Sequence, residues 1–148
     1  MRSSVTTDPF FIFCSGRYPM TMLKHNPTTI AAPAGAYCNG VSAPGGGRWL
    51  HIAGQVGIAP DGSLPDDFAQ QTKVAWSNLL AVLEHAGMTV ADLVKVNHFL
   101  VRPGDMAAYA AIRAEYLGDA RPASTVLIVQ ALAKPQWLVE VDAVAWKA

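Results

Sequence analysis

The sequence predicts a single α+β domain in which one mixed β-sheet carries two helices on one face. Of the 148 residues, 51% are hydrophobic and 15% are charged, a composition that suits a chain with a packed core. A domain of this length buries roughly two-thirds of the surface that its unfolded chain exposes. Two amphipathic helical segments lie among segments with strand character, and their order along the chain is β-β-α-β-α-β-β.

Two strands are predicted at the start of the domain, over residues 36–42 and 48–55. The Pro-Gly-Gly-Gly segment at 44–47 lies between them and tolerates positive φ, so the two strands are expected to form a hairpin. A glycine-rich loop can instead cradle a phosphate, but neither a Lys-Ser/Thr pair nor a helix start follows this one. The turn is the preferred interpretation.

Two segments have the periodicity of amphipathic helices. The first covers residues 66–86, begins with acidic residues and is followed by Gly87. The second covers residues 105–117, with Asp105 as its cap and Gly118 at its end. Their apolar stripes are expected to face the sheet, and consist of Phe68, Ala75, Leu79, Val82, Leu83 and Ala86, then Met106, Tyr109, Ile112 and Tyr116.

Three further strands are predicted. Residues 94–101 alternate in a way that groups His98 with the apolar side chains of one face. Residues 124–130 are almost wholly apolar and are therefore expected at the centre of the sheet. Residues 138–146 alternate, which places two carboxylates on one face, Glu140 and Asp142. The sheet face without helices then needs a partner, which predicts self-association.

The first 26 residues show neither helical nor strand periodicity. We expect residues 1–26 to form a flexible tail before a domain at 27–148. Two explanations remain open: the segment is a real arm, or the start is over-long and Met20 or Met22 is the biological first residue.

Charge and cysteine content exclude several classes of partner. The 11 basic residues balance the 11 acidic ones, so no net field attracts nucleic acid or anionic lipid. No segment approaches the roughly 20 apolar residues of a membrane span. Two cysteines are too few for a disulfide framework, and the apolar run at 9–14 is shorter than a signal-peptide core, so a cytoplasmic location is expected. The four histidines lack metal-ligand spacing, and no metal site is expected.

A series of short motifs runs in order over residues 33–145. They are PAGAY at 33–37, AGQVG at 53–57, DG at 61–62, Gln71 with Asn78, LEHAG at 83–87, YL at 116–117, RPAST at 121–125 and VEVDAVA at 139–145. In this order and spacing the chain resembles the reactive intermediate deaminase (Rid, YjgF-type, endoribonuclease L-PSP-like) family.

The resemblance implies a chorismate-mutase-like fold, a barrel-shaped homotrimer and ligand sites in the clefts between subunits. The best-studied members hydrolyse reactive enamines and imines such as 2-aminoacrylate, and release ammonia and a 2-oxo acid without a cofactor. Carried over by position, the resemblance assigns Tyr37 to the lining of the cleft and Glu140 to the ordering of water.

Two positions depart from the deaminating subgroup. Its substrate-binding arginine after Pro-Ala is replaced by Ser124, and its asparagine on the second helix is replaced by Ala110. A neutral hydroxyl cannot replace a bidentate guanidinium, so the chain resembles a subgroup without the arginine. Ser124 and Thr125 remain candidates for substrate binding through hydroxyl and backbone N–H groups, and Arg121 is the nearest cation that could reach the same cleft.

Three functional hypotheses follow. The first is a cofactor-free deaminase or hydrolase of small imines, enamines or related metabolites, in which Glu140 activates water and moves protons, with Asp142 as a possible second carboxylate. The alternative for Glu140 is an exposed strand carboxylate paired with a base. The second hypothesis is a non-enzymatic trimer that binds a small metabolite as a sensor or chaperone-like holdase. The third, endoribonuclease activity, conflicts with the balanced charge.

Overall fold

The computed structural model describes residues 21–148, so the predictions made for residues 1–20 lie outside the described part of the chain. Its strands and helices, in chain order, are β1 Leu23–His25, β2 Gly40–Ser42, β3 Arg48–Val56, α1 Phe68–His85, β4 Leu93–Leu100, α2 Met106–Leu117, β5 Ala123–Ile128 and β6 Val139–Lys147. Short 3-10 helices at Val90–Asp92 and Pro103–Asp105 precede β4 and α2.

Four of the strands form a mixed sheet in the order β3-β6-β4-β5. Strand β6 is antiparallel to both β3 and β4, whereas β5 runs parallel to β4. Both helices cover the same face, and side chains such as Val96, Leu100 and Val141 are fully buried beneath them. The predicted α+β class is therefore confirmed.

Helix α1 lies close to its predicted bounds because its ends carry local signals. The carboxylate of Asp67 accepts a hydrogen bond from the backbone N–H of Gln70 at 2.9 Å and caps the first turn. Gly87, with a φ of 68°, follows the last turn in the left-handed region that glycine adopts most easily. Between these ends, Trp76 and Leu79 are completely buried, as a helix lying along a sheet requires.

Helix α2 lies close to its predicted bounds, but its buried stripe is displaced. The prediction that Asp105 caps the helix is wrong, because its carboxylate accepts from Arg102 and makes no capping bond. Tyr109 and Ile112 are buried, and Tyr116 is half-buried. The prediction that Met106 is buried is wrong, since it is 38% exposed, whereas Leu117 is buried. Met106 is the first residue of the helix, and the buried side chains of α2 lie further along it, from Tyr109 to Leu117.

The predicted hairpin between the first two strands is wrong. Strand β2 pairs with β1, a strand within the segment predicted as tail, while β3 pairs with β6. The glycine-rich loop instead lies against Trp146, whose indole N–H donates to the carbonyl of Gly46 at 2.7 Å. A Cβ at Gly47 would lie 2.8 Å from the Trp146 ring, so the glycines permit close approach of backbone to ring.

Strand β5 lies at an edge of the sheet within the subunit, and the prediction that it is central is wrong. Its residues Leu127 and Ile128 are 48% and 43% exposed. An apolar run without periodicity indicates a need for burial but does not identify the neighbour that provides it.

Among the described helices, neither α1 nor α2 combines the length and apolar character needed to cross a membrane.

Candidate functional site

The face of the sheet opposite the helices carries a set of polar side chains. Glu140 and Asp142 of β6 point to this face, because the alternate residues Val139 and Val141 are buried under the helices. Asp142 accepts a hydrogen bond at 2.8 Å from the side-chain amide of Asn97, its cross-strand partner on β4. The carboxylate of Asp142 is thus already engaged within the subunit.

The carboxylate of Glu140 lies over a gap in the side chains of β3. A Cβ placed on Gly54 would lie 1.8 Å from Oε1 and 2.7 Å from Cδ of Glu140, so only glycine leaves room for this carboxylate. The pairing of β3 with β6 is irregular between Ile52 and Gln55, which brackets Gly54. A bulge of this kind redirects side chains beside a site. Glu140 is half-buried in this position.

Two polar residues of α1 hold the backbone on either side of Glu140. Gln71 donates to the carbonyls of Pro65 and Gln136 at 2.8 and 3.0 Å, and accepts from the N–H of Leu138 at 2.9 Å. Asn78 donates to two carbonyls at 3.2 and 2.9 Å, those of Val56 and Ile58. These bonds secure the end of β3 and the start of β6, which explains why a buried helix face carries two amides.

Tyr37 and Ser124 lie at another place, beside the start of β5. Cys38 forms a parallel bridge with Ala123, and its N–H donates to the carbonyl of Pro122 at 3.3 Å. This bridge brings Tyr37, which is half-buried, next to the strand that carries Ser124. The Tyr37 hydroxyl accepts from the N–H of Ala34 at 3.3 Å.

Ser124 points to the helix-covered face, where it joins a buried polar chain. Its hydroxyl lies 2.9 Å from Nε2 of His98, and Nδ1 of the same ring is hydrogen-bonded to the hydroxyl of Tyr109. Burial, together with the nearby charges of Arg113 and Lys95, lowers the pKa of His98 to about 3. Burial also raises the pKa of Tyr109. The imidazole is therefore neutral and the phenol protonated near neutral pH.

The remaining candidates are separated from one another. Arg121 donates to the carbonyls of Gly118 and Ala120 at 2.6 and 2.8 Å, so its guanidinium lies at the end of α2. Thr125 points to the open sheet face, where its hydroxyl accepts from the ammonium of Lys95. Within one subunit the structure thus brings Tyr37 together with Ser124, and separates both from the face that carries Glu140.

Sequence reasoning did not identify His98, Tyr109 or Arg113 as residues of interest. A signal was present for two of them, because His98 and Tyr109 fall on predicted apolar faces, where a polar group needs a partner. Arg113 gave no such signal. Between residues 21 and 148 no group of three or more His, Cys, Asp or Glu side chains is arranged to hold a metal ion.

Comparison with known proteins agrees with this fold. Residues 27–147 match the family model described as Endoribonuclease L-PSP. The chain is 35% identical over 117 residues to RutC family protein PH0854 of Pyrococcus horikoshii, an alignment that covers 78% of this chain and 90% of that protein. It is also 35% identical over 130 residues to RutC family protein slr0709 of Synechocystis, covering 85% of this chain and 97% of the relative.

Solved structures show the same similarity. A Rid-family protein of unknown function from Yersinia pestis, YyfB, superimposes with a TM-score of 0.77 at 37% identity, over 86% of this chain and 100% of that one. RidA from the Antarctic bacterium Psychrobacter superimposes with a TM-score of 0.65 at 29% identity, over 78% of this chain and 92% of that one. The matched family model and these relatives together show that the chain belongs to the Rid (YjgF-type, endoribonuclease L-PSP) family.

Proposed function

We propose that the protein is a cofactor-free deaminase or hydrolase of small reactive imines, enamines or related metabolites, and that it works as a homotrimer with its site between subunits. Membership of the Rid family supports the reaction class. The observation that carries the proposal is the position of Glu140, a half-buried carboxylate over Gly54 that makes no hydrogen bond within the described residues and so is free to bind water.

Hydrolysis of an imine moves two protons from water oxygen to the nitrogen, and one carboxylate can carry both. Water attacks the imine carbon as Glu140 accepts one of its protons, and Glu140 then donates that proton to the nitrogen. The hydroxyl of the resulting carbinolamine gives its proton to Glu140, which passes that proton to the nitrogen. The C–N bond then breaks as the carbonyl forms, and ammonia leaves. The carboxylate is regenerated, so neither an oxidant nor a cofactor is consumed.

The distribution of the candidate residues supports a site built from two subunits. Ser124 and Glu140 lie on opposite faces of one sheet and cannot line the same cleft within a subunit. They can do so only if neighbouring subunits contribute one each. Trp49 and Leu127, which are 46% and 48% exposed, lie on the face without helices and offer apolar surface for this association.

The assembly can be tested by light scattering. We expect a mass of about three times 15.7 kDa at micromolar concentration. A stable monomer under these conditions would contradict the proposed intersubunit cleft.

Ammonia release from enzymatically generated imines tests the activity. Glu140→Gln keeps the shape of the side chain but removes the proton acceptor, so turnover should fall by a factor on the order of 100 or more. Asp142→Asn, two residues along the same strand, should cause a smaller loss because Asp142 is already bonded to Asn97. Turnover that survives Glu140→Gln would refute the role of this carboxylate.

The expected turnover of 2-aminoacrylate itself is low. A charge-assisted bond from an arginine to a carboxylate contributes about 1.5–3 kcal/mol, and the hydroxyl of Ser124 cannot supply it. Ser124→Arg should raise the rate if the rest of the cleft accepts the longer side chain. Efficient clearance of 2-aminoacrylate by the unmodified protein would show that a cation at this position is unnecessary.

A non-enzymatic metabolite-binding role is the second candidate, and the observation that favours it is the replacement of the arginine by a serine held by His98. A thermal-shift screen of carboxylic and carbonyl metabolites separates the two, because ligand binding without ammonia release supports a sensor or holdase. Endoribonuclease activity is disfavoured by the balanced charge.

We place either function in the reducing cytoplasm, where the buried free thiol of Cys38 is stable.

A further inference from the structure

Arg113 brings a guanidinium to the edge of the subunit where Tyr37 and Ser124 lie. It projects from α2, and its Nη2 donates to the carbonyl of Ala36 at 2.6 Å, one residue before Tyr37. Its guanidinium also lies near the phenol rings of Tyr37 and Tyr109. Arg113 is therefore beside the residues proposed for the cleft, although it is remote from them in sequence.

The charge of Arg113 lacks an anionic partner in the described structure. The one ion pair within residues 21–148 joins Arg102 to Asp105, and Nε of Arg113 is shielded from solvent without a hydrogen-bond acceptor. Burial lowers the pKa of Arg113, and the neighbouring Arg121 acts in the same direction. Arg113 is half-buried, so its charge has lost part of its hydration, and a bound anion would supply the missing counter-charge.

The hydroxyl of Ser124 is oriented by the groups behind it. The protonated Tyr109 hydroxyl can donate to Nδ1 of the neutral His98, which leaves the proton of the ring on Nε2, facing Ser124. Ser124 then accepts from His98, and its own proton is available to a ligand.

We propose that Arg113 and the hydroxyl of Ser124 form an anion-binding subsite that takes the carboxylate of a small carbonyl or imine metabolite. This inference rests on the proposed function for the location of the cleft. It assigns the recognition of charge to α2, because β5 carries no cation at position 124. Arg113 supplies the charge, and Ser124 supplies a neutral donor oriented by His98.

Equilibrium binding tests the subsite without requiring turnover. The probes are 2-oxobutyrate and its neutral methyl ester, measured by ligand-observed NMR or calorimetry at constant ionic strength. We expect the unmodified protein to prefer the carboxylate, and Arg113→Gln to weaken carboxylate binding about ten- to a hundredfold while leaving ester binding unchanged. Ser124→Ala should weaken carboxylate binding by a smaller factor of about two to ten. Arg102→Gln, which removes an arginine already paired with Asp105, is the matched control.

Several results would overturn the inference. They are equal affinity of the unmodified protein for acid and ester, equal losses of both ligands in Arg113→Gln, or loss of the acid preference in Arg121→Gln instead. If Arg113→Gln fails to fold, Arg113→Lys serves in its place, since it keeps the charge and should retain a reduced preference for the acid. Loss of the preference in a folded Arg113→Lys would contradict a subsite that depends on the charge at this position. Acid-selective binding without ammonia release would sustain the subsite and refute the enzymatic proposal.

Discussion

Protonation of His98 should make folding strongly dependent on pH. The ring is completely buried, it is bonded to Ser124 and Tyr109, and its pKa is lowered from 6.5 to about 3. Between these two values the unfolded chain binds a proton that the folded chain does not bind. The free energy of unfolding therefore rises with pH in this window, and it falls as the solution is acidified from about 6.5 towards 3.

The magnitude follows from the separation of the two pKa values. Each pH unit inside the window changes the free energy of unfolding by about 1.4 kcal/mol. Acidification to about pH 4 spans some 2.5 units below the unfolded pKa, so His98 alone should remove about 3 kcal/mol. Carboxylates titrate over the same range, and their contribution must be subtracted by comparison with a variant.

Urea unfolding, followed by tryptophan fluorescence at fixed protein concentration between about pH 7 and pH 4, measures this effect. His98→Gln replaces the imidazole with a neutral amide that can bond to Ser124, so its stability should decrease much less on acidification. His85→Gln is the matched control, because His85 is exposed at the end of α1 and its loss should leave the steep dependence intact. Parallel pH profiles for the unmodified protein and His98→Gln would refute the reasoning.

Three further substitutions test individual contacts. Gly54→Ala should displace the Glu140 carboxylate, since the new Cβ would lie 1.8 Å from its Oε1, and ammonia release should fall with little change in Tm; retained activity would contradict the assigned position. Gly57→Ala would bring a Cβ within 2.7 Å of the backbone Cα of Gln71, and this overpacking should lower the free energy of unfolding in urea by about 1–3 kcal/mol. An unchanged urea midpoint would contradict this close approach. Leu79→Ala should cost about 2–5 kcal/mol because the side chain is fully buried, and a Tm that stays constant would exclude this placement.

The helices and the alternation of β6 could be predicted from the sequence because their signals are local. An amphipathic helix shows its apolar period within a few turns. Asp67 and Gly87 mark the ends of α1, the first by its capping hydrogen bond and the second by its backbone conformation. The alternation around Glu140 likewise predicts which side chains share a face. The motif series added the family, which composition and period cannot provide.

Local sequence patterns do not predict which strands pair. The residues of β2 and β3 are close in sequence and were expected to pair, but β3 pairs with β6 and β2 with β1. The apolar run of β5 suggested a central strand, whereas it lies at an edge within the subunit. Pairing depends on which distant segment completes the backbone hydrogen bonds, and no local pattern encodes that choice.

The features of the candidate site also fall into those that the sequence predicts and those that depend on the tertiary structure. The sequence by itself determined the α+β class, the family and the presence of a carboxylate at Glu140. Only the tertiary structure decided that Ser124 lies on the opposite face, bonded to His98, and that Arg113 reaches the segment before Tyr37. These placements arise from contacts between residues such as Ser124 and His98, 26 positions apart, or Arg113 and Ala36, 77 apart. Such contacts depend on how helices and strands pack, which the order of residues within each element does not specify.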